Sequence, residues 1–289
     1  MRLEFVVNED NERLSEELKL HISRRLYKNI RSKKTPIFVN GEERLTYLPV
    51  KAGDVITIDF SKNREVNWDI YESNLNVFYE DDNYLIVYKR ENLLSIPTKS
   101  DPHSLFQEVI YYLKNKNEST DISILNRLDK ETKGLVLIAK NAFAASLISP
   151  VHEHISRKYL ALCYGLYEND EGRIVNHIKK GDSGNKRIIS DDGKIAITNY
   201  KVIKRYTNSS LVEFVLETGR THQIRLHSSS IGYPLIGDKL YGNSNDGDLQ
   251  LLSYYLKFIN PFNKKIIEIK IEDIEVVDEN YIKVCLNKE

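Results

Sequence analysis

Leucine and isoleucine recur at Leu14, Leu18, Ile22 and Leu26, and this four-residue spacing predicts one or two short amphipathic helices. Residues 37–39, Ile-Phe-Val, run into Asn40-Gly41, the signature of a strand that ends in a tight turn. Lys51-Ala52-Gly53-Asp54 then leads into residues 55–60, where apolar and polar positions alternate as in a strand with one wet face. These elements make a small helical and strand module over residues 1–60. The polar stretch 61–76 is a candidate linker, and residues 77–289 form a larger domain. There, β-branched and aromatic density predicts strands over 84–89, 134–139, 159–164, 196–203, 211–216 and 266–271. Apolar residues at helical spacing predict helices over 104–114 and 141–148, and the segment 181–193, rich in glycine, serine and charge, reads as a polar loop. Strands outnumber helices and do not alternate with them regularly. The pattern therefore predicts an α+β domain on a mixed, mostly antiparallel sheet, not a doubly wound parallel one.

Composition narrows the class. The chain of 289 residues has room for one large domain and one small one, its apolar share is 41%, and 18 tyrosines give many large side chains a polar end. No run approaches the roughly 20 apolar residues that a membrane helix needs, and the first ten residues alternate acid with apolar, unlike a secretory signal. A cytoplasmic monomer without membrane contact is the expectation. Two cysteines, Cys163 and Cys285, lie in apolar runs and read as buried reduced thiols. Forty-two basic and forty-two acidic residues cancel, so any affinity for a polyanion must come from charge distribution. Residues 19–34, KLHISRRLYKNIRSKK, hold seven lysines and arginines with no acid. Arg24, Arg25, Lys28 and Arg31 are the candidate RNA contacts in it, against the plainer reading of a solvated helix face.

Two segments carry the candidate chemistry. Residues 126–134, NRLDKETKG, set Asp129 in a turn between apolar strands; taken alone, this reads as a solvated turn with an aspartate cap. Residues 217–227, ETGRTHQIRLH, gather two arginines and two histidines behind a buried-looking strand. An arginine beside Asp129 would hold its carboxylate ionised and oriented, which makes it a usable nucleophile. A metal is not expected: there is no cysteine pair, and His222 and His227, five apart, would point to opposite faces of a strand. Neither common glycine-rich phosphate loop occurs, which argues against nucleotide hydrolysis and dinucleotide chemistry.

The order NRLDKETKGLVLIAK, then RKYLALCYG, then ETGRTHQIRLHSSSIGYPLIGDKLYG resembles the RluA-type RNA pseudouridine synthases. Their signatures are His-Arg-Leu-Asp-x-x-Thr-Ser-Gly, Lys-x-Tyr and Gly-Arg-Thr-His-Gln-Ile/Leu-Arg-x-His. The likeness extends over residues 77–242, and the N-terminal module more loosely resembles the ribosomal-protein-S-four-type RNA-binding domain. This resemblance implies the pseudouridine synthase fold and the isomerisation of uridines in RNA without a cofactor, large-subunit ribosomal RNA before transfer RNA. It implies that Asp129 is the nucleophile on a flipped nucleotide, that Tyr159 stacks on the target base and helps in proton transfer, and that Arg225 pairs with Asp129. Arg127 would help take the nucleotide out of its stack. Arg220, His222 and Gln223 would touch RNA or, equally, brace the site from behind.

Asn126 stands where the family has histidine and Lys133 where it has serine, while residues 88–92, YKREN, replace Asn-Lys-Pro-x-Gly. Two other readings remain open at this level. One is a catalytically silent RNA-binding protein of the same fold. The other is a glycoside hydrolase, which would require a second free carboxylate about 5 to 10 Å from Asp129.

Overall fold

The computed structural model describes residues 2–22, 24–33, 35–60, 71–148, 155–182, 186–242, 247–277 and 280–285. The N-terminal module is a four-stranded antiparallel sheet, ordered β1 (Arg2–Val6), β4 (Val55–Asp59), β2 (Ile37–Val39), β3 (Glu42–Glu43), with helices α1 (Leu14–His21) and α2 (Arg24–Lys33) between β1 and β2. The four-residue periodicity lines one face of the two helices: Leu14, Leu18, Ile22, Leu26 and Ile30 are buried against Ile37, Val39, Ile56 and Ile58. This core continues into the larger domain through Ala142 and Phe143, whose ring stacks 5.9 Å from that of Phe60. Of the candidate linker, residues 61–70 lie outside the described residues. Its remainder is fastened to the larger domain: Tyr71 stacks on His103, and the Ser73 hydroxyl donates to buried Glu108.

An eleven-stranded sheet carries the rest of the chain. Its left half is β5 (Val77–Glu80), β6 (Tyr84–Lys89) and β8 (Lys133–Ala139), with the short β7 (Ser123–Ile124) beside β8. Helix α3 (Leu105–Asn115) precedes β7, and α4 (Ala142–Leu147) follows β8, capped by the Asn141 side chain, which accepts from the Ala144 amide. The right half is β9 (Ile155–Tyr164), β10 (Glu171–Lys180), β11 (Arg187–Ile189), β12 (Lys194–Arg205) and β13 (Ser209–Leu216), in the spatial order β9, β13, β12, β10, β11. After helix α5 (Gln223–Ser230) the chain enters β14 (Leu251–Ile259), which lies between the halves, pairs with β15 (Ile266–Lys270) and runs antiparallel to β9 and parallel to β8. A two-stranded hairpin, β16 (Ile274–Val277) and β17 (Tyr281–Val284), ends the described chain.

The expected α+β class and mixed, mostly antiparallel sheet are what the fold has: among the described pairings only β8 with β14 is parallel. The apolar run of β8 is continuous because both faces are covered. Val136 and Ile138 enter a core closed by α3, and Leu135, Leu137 and Ala139 enter one closed by α4. Three local readings change. Strands β1, β5, β10, β14, β16 and β17 were not anticipated, since apart from β14 they are edge or half-exposed segments with little continuous apolar signal. The polar segment 181–193 contains β11, held by pairing to β10, although residues 183–185 lie outside the described ones. Cys163 is buried as expected, but Cys285 is only half-buried.

Gly134 fixes where the halves meet. Its φ of +123° and its missing side chain let β8 lie directly on β14: a Cβ there would stand 2.2 Å from the Ser253 carbonyl oxygen. Gly134→Ala is expected to cost about 3 kcal/mol of stability, since strained backbone and a backbone clash add. Urea unfolding at neutral pH measures it; a loss under about 0.5 kcal/mol, the range of ordinary surface substitutions, would show that β8 and β14 can part freely.

Candidate active site

The turn between β7 and β8 is held at almost every residue. Asn126 is buried; its side-chain carbonyl accepts from the Leu137 amide at 2.6 Å and its amide donates to the Leu135 carbonyl at 3.2 Å, so the asparagine in place of histidine ties the turn to β8. The Ser95 hydroxyl both donates to the Leu128 carbonyl (2.7 Å) and accepts from the Leu128 amide (3.0 Å). Buried Lys89 donates to the carbonyls of Arg90, Leu93 and Lys130. Burial pushes its ammonium down to about 7, against the pull of Asp129 and Glu131. Thus fixed, the turn presents Asp129, with its side chain 26% exposed, to the second candidate segment.

From Gln223 onward the second segment folds into helix α5. Its residues Gln223 to Ser228 are all buried although Gln223, Arg225, His227 and Ser228 are polar, so no apolar stripe marked a helical period. His222 sits at its start in the left-handed region (φ +56°), a strained conformation for a side-chain-bearing residue, and its Nε2 lies 3.9 Å from Asp129 Oδ2. Its Nδ1 is 3.0 Å from the Tyr241 hydroxyl, which also accepts the Arg187 amide at 2.7 Å. Burial lowers the imidazole below its ordinary value of 6.5, against the pull of Asp129, which keeps it neutral at pH 7. One turn on, Arg225 directs Nη1 at Asp129 (4.0 Å) and Glu131 (3.5 Å).

Arg225 does not take Asp129 as its main partner, which corrects the expected pairing. Its Nε and Nη2 grip both oxygens of Asp238 at 2.8 and 2.7 Å, and the pair is buried, 2% and 0% exposed. Asp238 also accepts the amides of Leu240 and Tyr241, and these bonds, with the guanidinium, hold its carboxyl below the usual range despite burial. Asp129 receives no such bonds among the described residues. Burial raises its carboxyl above the ordinary value of 3.8, and His222, Arg225 and Lys89 oppose the rise.

A cleft of about 1180 Å³ opens over Asp129. Tyr159 of β9 forms part of its floor, almost wholly buried, with the Ser253 hydroxyl beside its phenol; burial raises the phenol above its ordinary 10.0. Arg127 is exposed on the cleft wall, where Lys130, Arg157, Arg187, Arg220 and Lys239 add positive charge. Gln223 is not free for RNA: its amide is used up by Thr218, the Arg220 amide, the Ile197 carbonyl and Thr198, so it braces the loop before α5. Arg220 spends Nε on the Ile195 carbonyl at 3.0 Å. His227 faces away and meets Thr198 at 2.9 Å. Arg24, Lys28 and Arg31 lie far along the chain, exposed on α2; the side chain of Arg25 lies outside the described ones. No group of three potential metal-binding side chains occurs, and no helix is long and apolar enough to cross a membrane, among the described residues.

Sequence reasoning missed Asp238, Glu131, Tyr241 and Lys89. Asp238 lay within the matched stretch LIGDKLYG, but nothing in its spacing says that it reaches back to Arg225.

Residues 83–230 match the family model described as RNA pseudouridylate synthase. The Bacillus subtilis protein named Uncharacterized RNA pseudouridine synthase YjbO is 32% identical over 253 residues, which cover 85% of this chain and 89% of that one. The protein named Ribosomal large subunit pseudouridine synthase D of Buchnera aphidicola subsp. Schizaphis graminum is 32% identical over 255 residues and 80% of each chain. Among solved structures, Human RNA Pseudouridylate Synthase Domain Containing 1 shares the fold with a TM-score of 0.61 at 22% identity, covering 74% of this chain and 91% of that one.

Proposed function

Since the chain belongs to the RNA pseudouridylate synthase family, whose members are isomerases, we propose that it converts specific uridines of large-subunit ribosomal RNA to pseudouridine, with the Asp129 carboxylate as nucleophile. The isomerisation breaks the bond from ribose C1′ to N1 of the base and makes one from C1′ to C5; the proton leaving C5 is balanced by one gained at N1. The observation that carries the reading is Asp129 standing in the cleft without a hydrogen-bond donor of its own among the described residues, 4.0 Å from an arginine already satisfied by Asp238. A carboxylate so held keeps a positive neighbour for orientation while its lone pairs stay available for carbon.

The rest of the cleft supports the same reading. Tyr159 offers a flat, dry surface for a uracil turned out of its helix, and its buried phenol stays protonated. The exposed guanidinium of Arg127 suits a role in displacing the nucleotide from its stack. Hydrolysis is disfavoured because Asp238 is consumed by Arg225, and Glu131 also faces that guanidinium. The name of the Buchnera relative supports ribosomal over transfer RNA. Incubating the protein with an unmodified large-subunit ribosomal RNA transcript and mapping pseudouridine by mass spectrometry tests the proposal. Sites on transfer RNA alone would shift the substrate, and none on either RNA would favour the silent RNA binder.

Residues 1–60 we assign to RNA docking. Arg24, Lys28 and Arg31 follow each other at i, i+4 and i+7, exposed on α2 opposite buried Leu26 and Ile30. Replacing all three with serine is expected to flatten the dependence of log affinity on log salt by up to about 2, taking roughly 0.7 per neutralised single-strand phosphate. Filter binding across a salt series reads the slope; an unaltered slope would leave α2 a solvated face.

A further inference from the structure

Lys133 stands next to Gly134 at the foot of the Asp129 turn, where the signature that the sequence resembles has serine, yet it is buried, its side chain 4% exposed. Along β8 it faces the same side as Leu135 and Leu137, the opposite side of the sheet from Tyr159 and the cleft. Its ammonium donates to the Ile282 carbonyl at 2.7 Å, lies 3.3 Å from Glu91 and sits 4.7 Å from the centre of the Tyr281 ring. Ile282 is fully buried in the core behind β8, and its own amide donates to Gln250 at 2.8 Å, at the start of β14. This buried cation therefore joins three segments: the catalytic turn, the loop after β6 and the terminal hairpin.

We propose that Lys133 is a positioning residue, through which the terminal hairpin β16–β17 holds the Asp129 turn at the geometry needed for isomerisation. The physical reason is the cost of a buried ammonium short of partners, which ties the two hairpin contacts together and leaves only Glu91 if the hairpin moves. When the hairpin is seated, Lys133 is satisfied and the start of β8 is fixed to within the fraction of an ångström that orientation of a nucleophile demands. When it lifts, the ammonium keeps Glu91 alone and loses its hydrogen bond to Ile282 and its contact with Tyr281, and β8 shifts beside Asp129 as the side chain turns toward Glu91 and water. Lys89 grips the other side of the same turn through the Lys130 carbonyl, so the hairpin completes a two-point clamp. A serine at residue 133 would be too short to keep the contacts that Lys133 makes with Ile282 and Tyr281.

The inference rests on the proposed isomerisation for one of its two readouts only. In the full chain, Lys133→Met is expected to lower kcat on a large-subunit ribosomal RNA transcript at least tenfold with KM within twofold, and Lys133→Arg to recover at least a third of it. Tyr281→Leu should lower kcat about threefold in the native background and have no further effect beside Lys133→Met, because coupled residues fail to add. Hydrogen exchange over residues 125–135, read by mass spectrometry, should rise in Lys133→Met and Tyr281→Leu and return in Lys133→Arg. Unchanged kcat in the folded variants, or independent effects of residues 133 and 281, overturns the proposal. If the wild type itself makes no pseudouridine, the functional reading fails, while exchange still decides: unaltered protection of the turn overturns the clamp. Should Lys133→Met not fold, Tyr281→Leu carries both measurements alone.

Discussion

Asp129→Asn is expected to lower pseudouridine formation by on the order of 10⁴ or more while leaving RNA affinity within a few-fold. Asparagine keeps the shape of the side chain in a turn fixed by Asn126, Ser95 and Lys89, so the cleft survives. What it removes is the negative charge and the nucleophilic lone pair. Affinity is spared because the polyanion no longer meets a like charge in the cleft, which offsets a weaker grip on the flipped nucleotide. Single-turnover assays with filter binding on the same protein read both quantities; activity within tenfold of wild type would remove Asp129 from the nucleophile's role. The pH profile follows from the same group. Burial raises the Asp129 carboxyl, so the acid limb of kcat/KM should lie above pH 3.8, with activity lost as pH falls through the raised value.

Asp238→Asn should give the largest loss of stability, about 3 to 5 kcal/mol at neutral pH, because it leaves a buried guanidinium without its counter-charge. Arg225 and Asp238 are 2% and 0% exposed and share two hydrogen bonds, so water cannot repair the loss. The freed guanidinium has two acids already beside Nη1 to turn to, Glu131 at 3.5 Å and Asp129 at 4.0 Å, and closing on Asp129 would neutralise its carboxylate. Activity per folded molecule should then fall as well. The linkage has a definite sign. Asp238 is depressed below 3.8 in the folded protein, so its contribution is complete above that value and disappears as pH falls through the lower folded value. Urea unfolding from pH 7 to below 3 tests both: the variant should be weaker at neutral pH and converge on wild type in acid. A difference under about 1 kcal/mol at neutral pH would mean that Arg225 is satisfied elsewhere.

Local pattern was a good guide where an element buries one regular face or is apolar throughout. The stripe Leu14, Leu18, Ile22, Leu26 gives α1 and α2, and the run from Leu135 to Ala139 gives β8. It failed where tertiary contacts supply the reason for the conformation. Helix α5 shows no apolar stripe because its polar residues Gln223, Arg225, His227 and Ser228 are buried along with Ile224 and Leu226, and β10, half-exposed and with many polar residues, is a strand because β12 pairs along its length. Arg225 does stand beside Asp129, at 4.0 Å, but its hydrogen-bonded partner is Asp238, which the sequence did not single out.

Asp129, Tyr159 and Arg225, in that order and within those motifs, are properties of the chain as written, and the motifs that hold them lie within or next to the stretch that matches the family, whose members are isomerases. Only the tertiary structure decided which of them are free to act. Arg225 is committed to Asp238, Gln223 to the loop before α5, and Lys133 to a hairpin some 149 residues further along the chain. Burial is the physical reason. A charge or amide taken out of water must find partners, and those partners are supplied by whichever segments the fold brings near; Asp129 differs in having no hydrogen-bond donor of its own among the described residues, with His222 and Arg225 only at 3.9 and 4.0 Å.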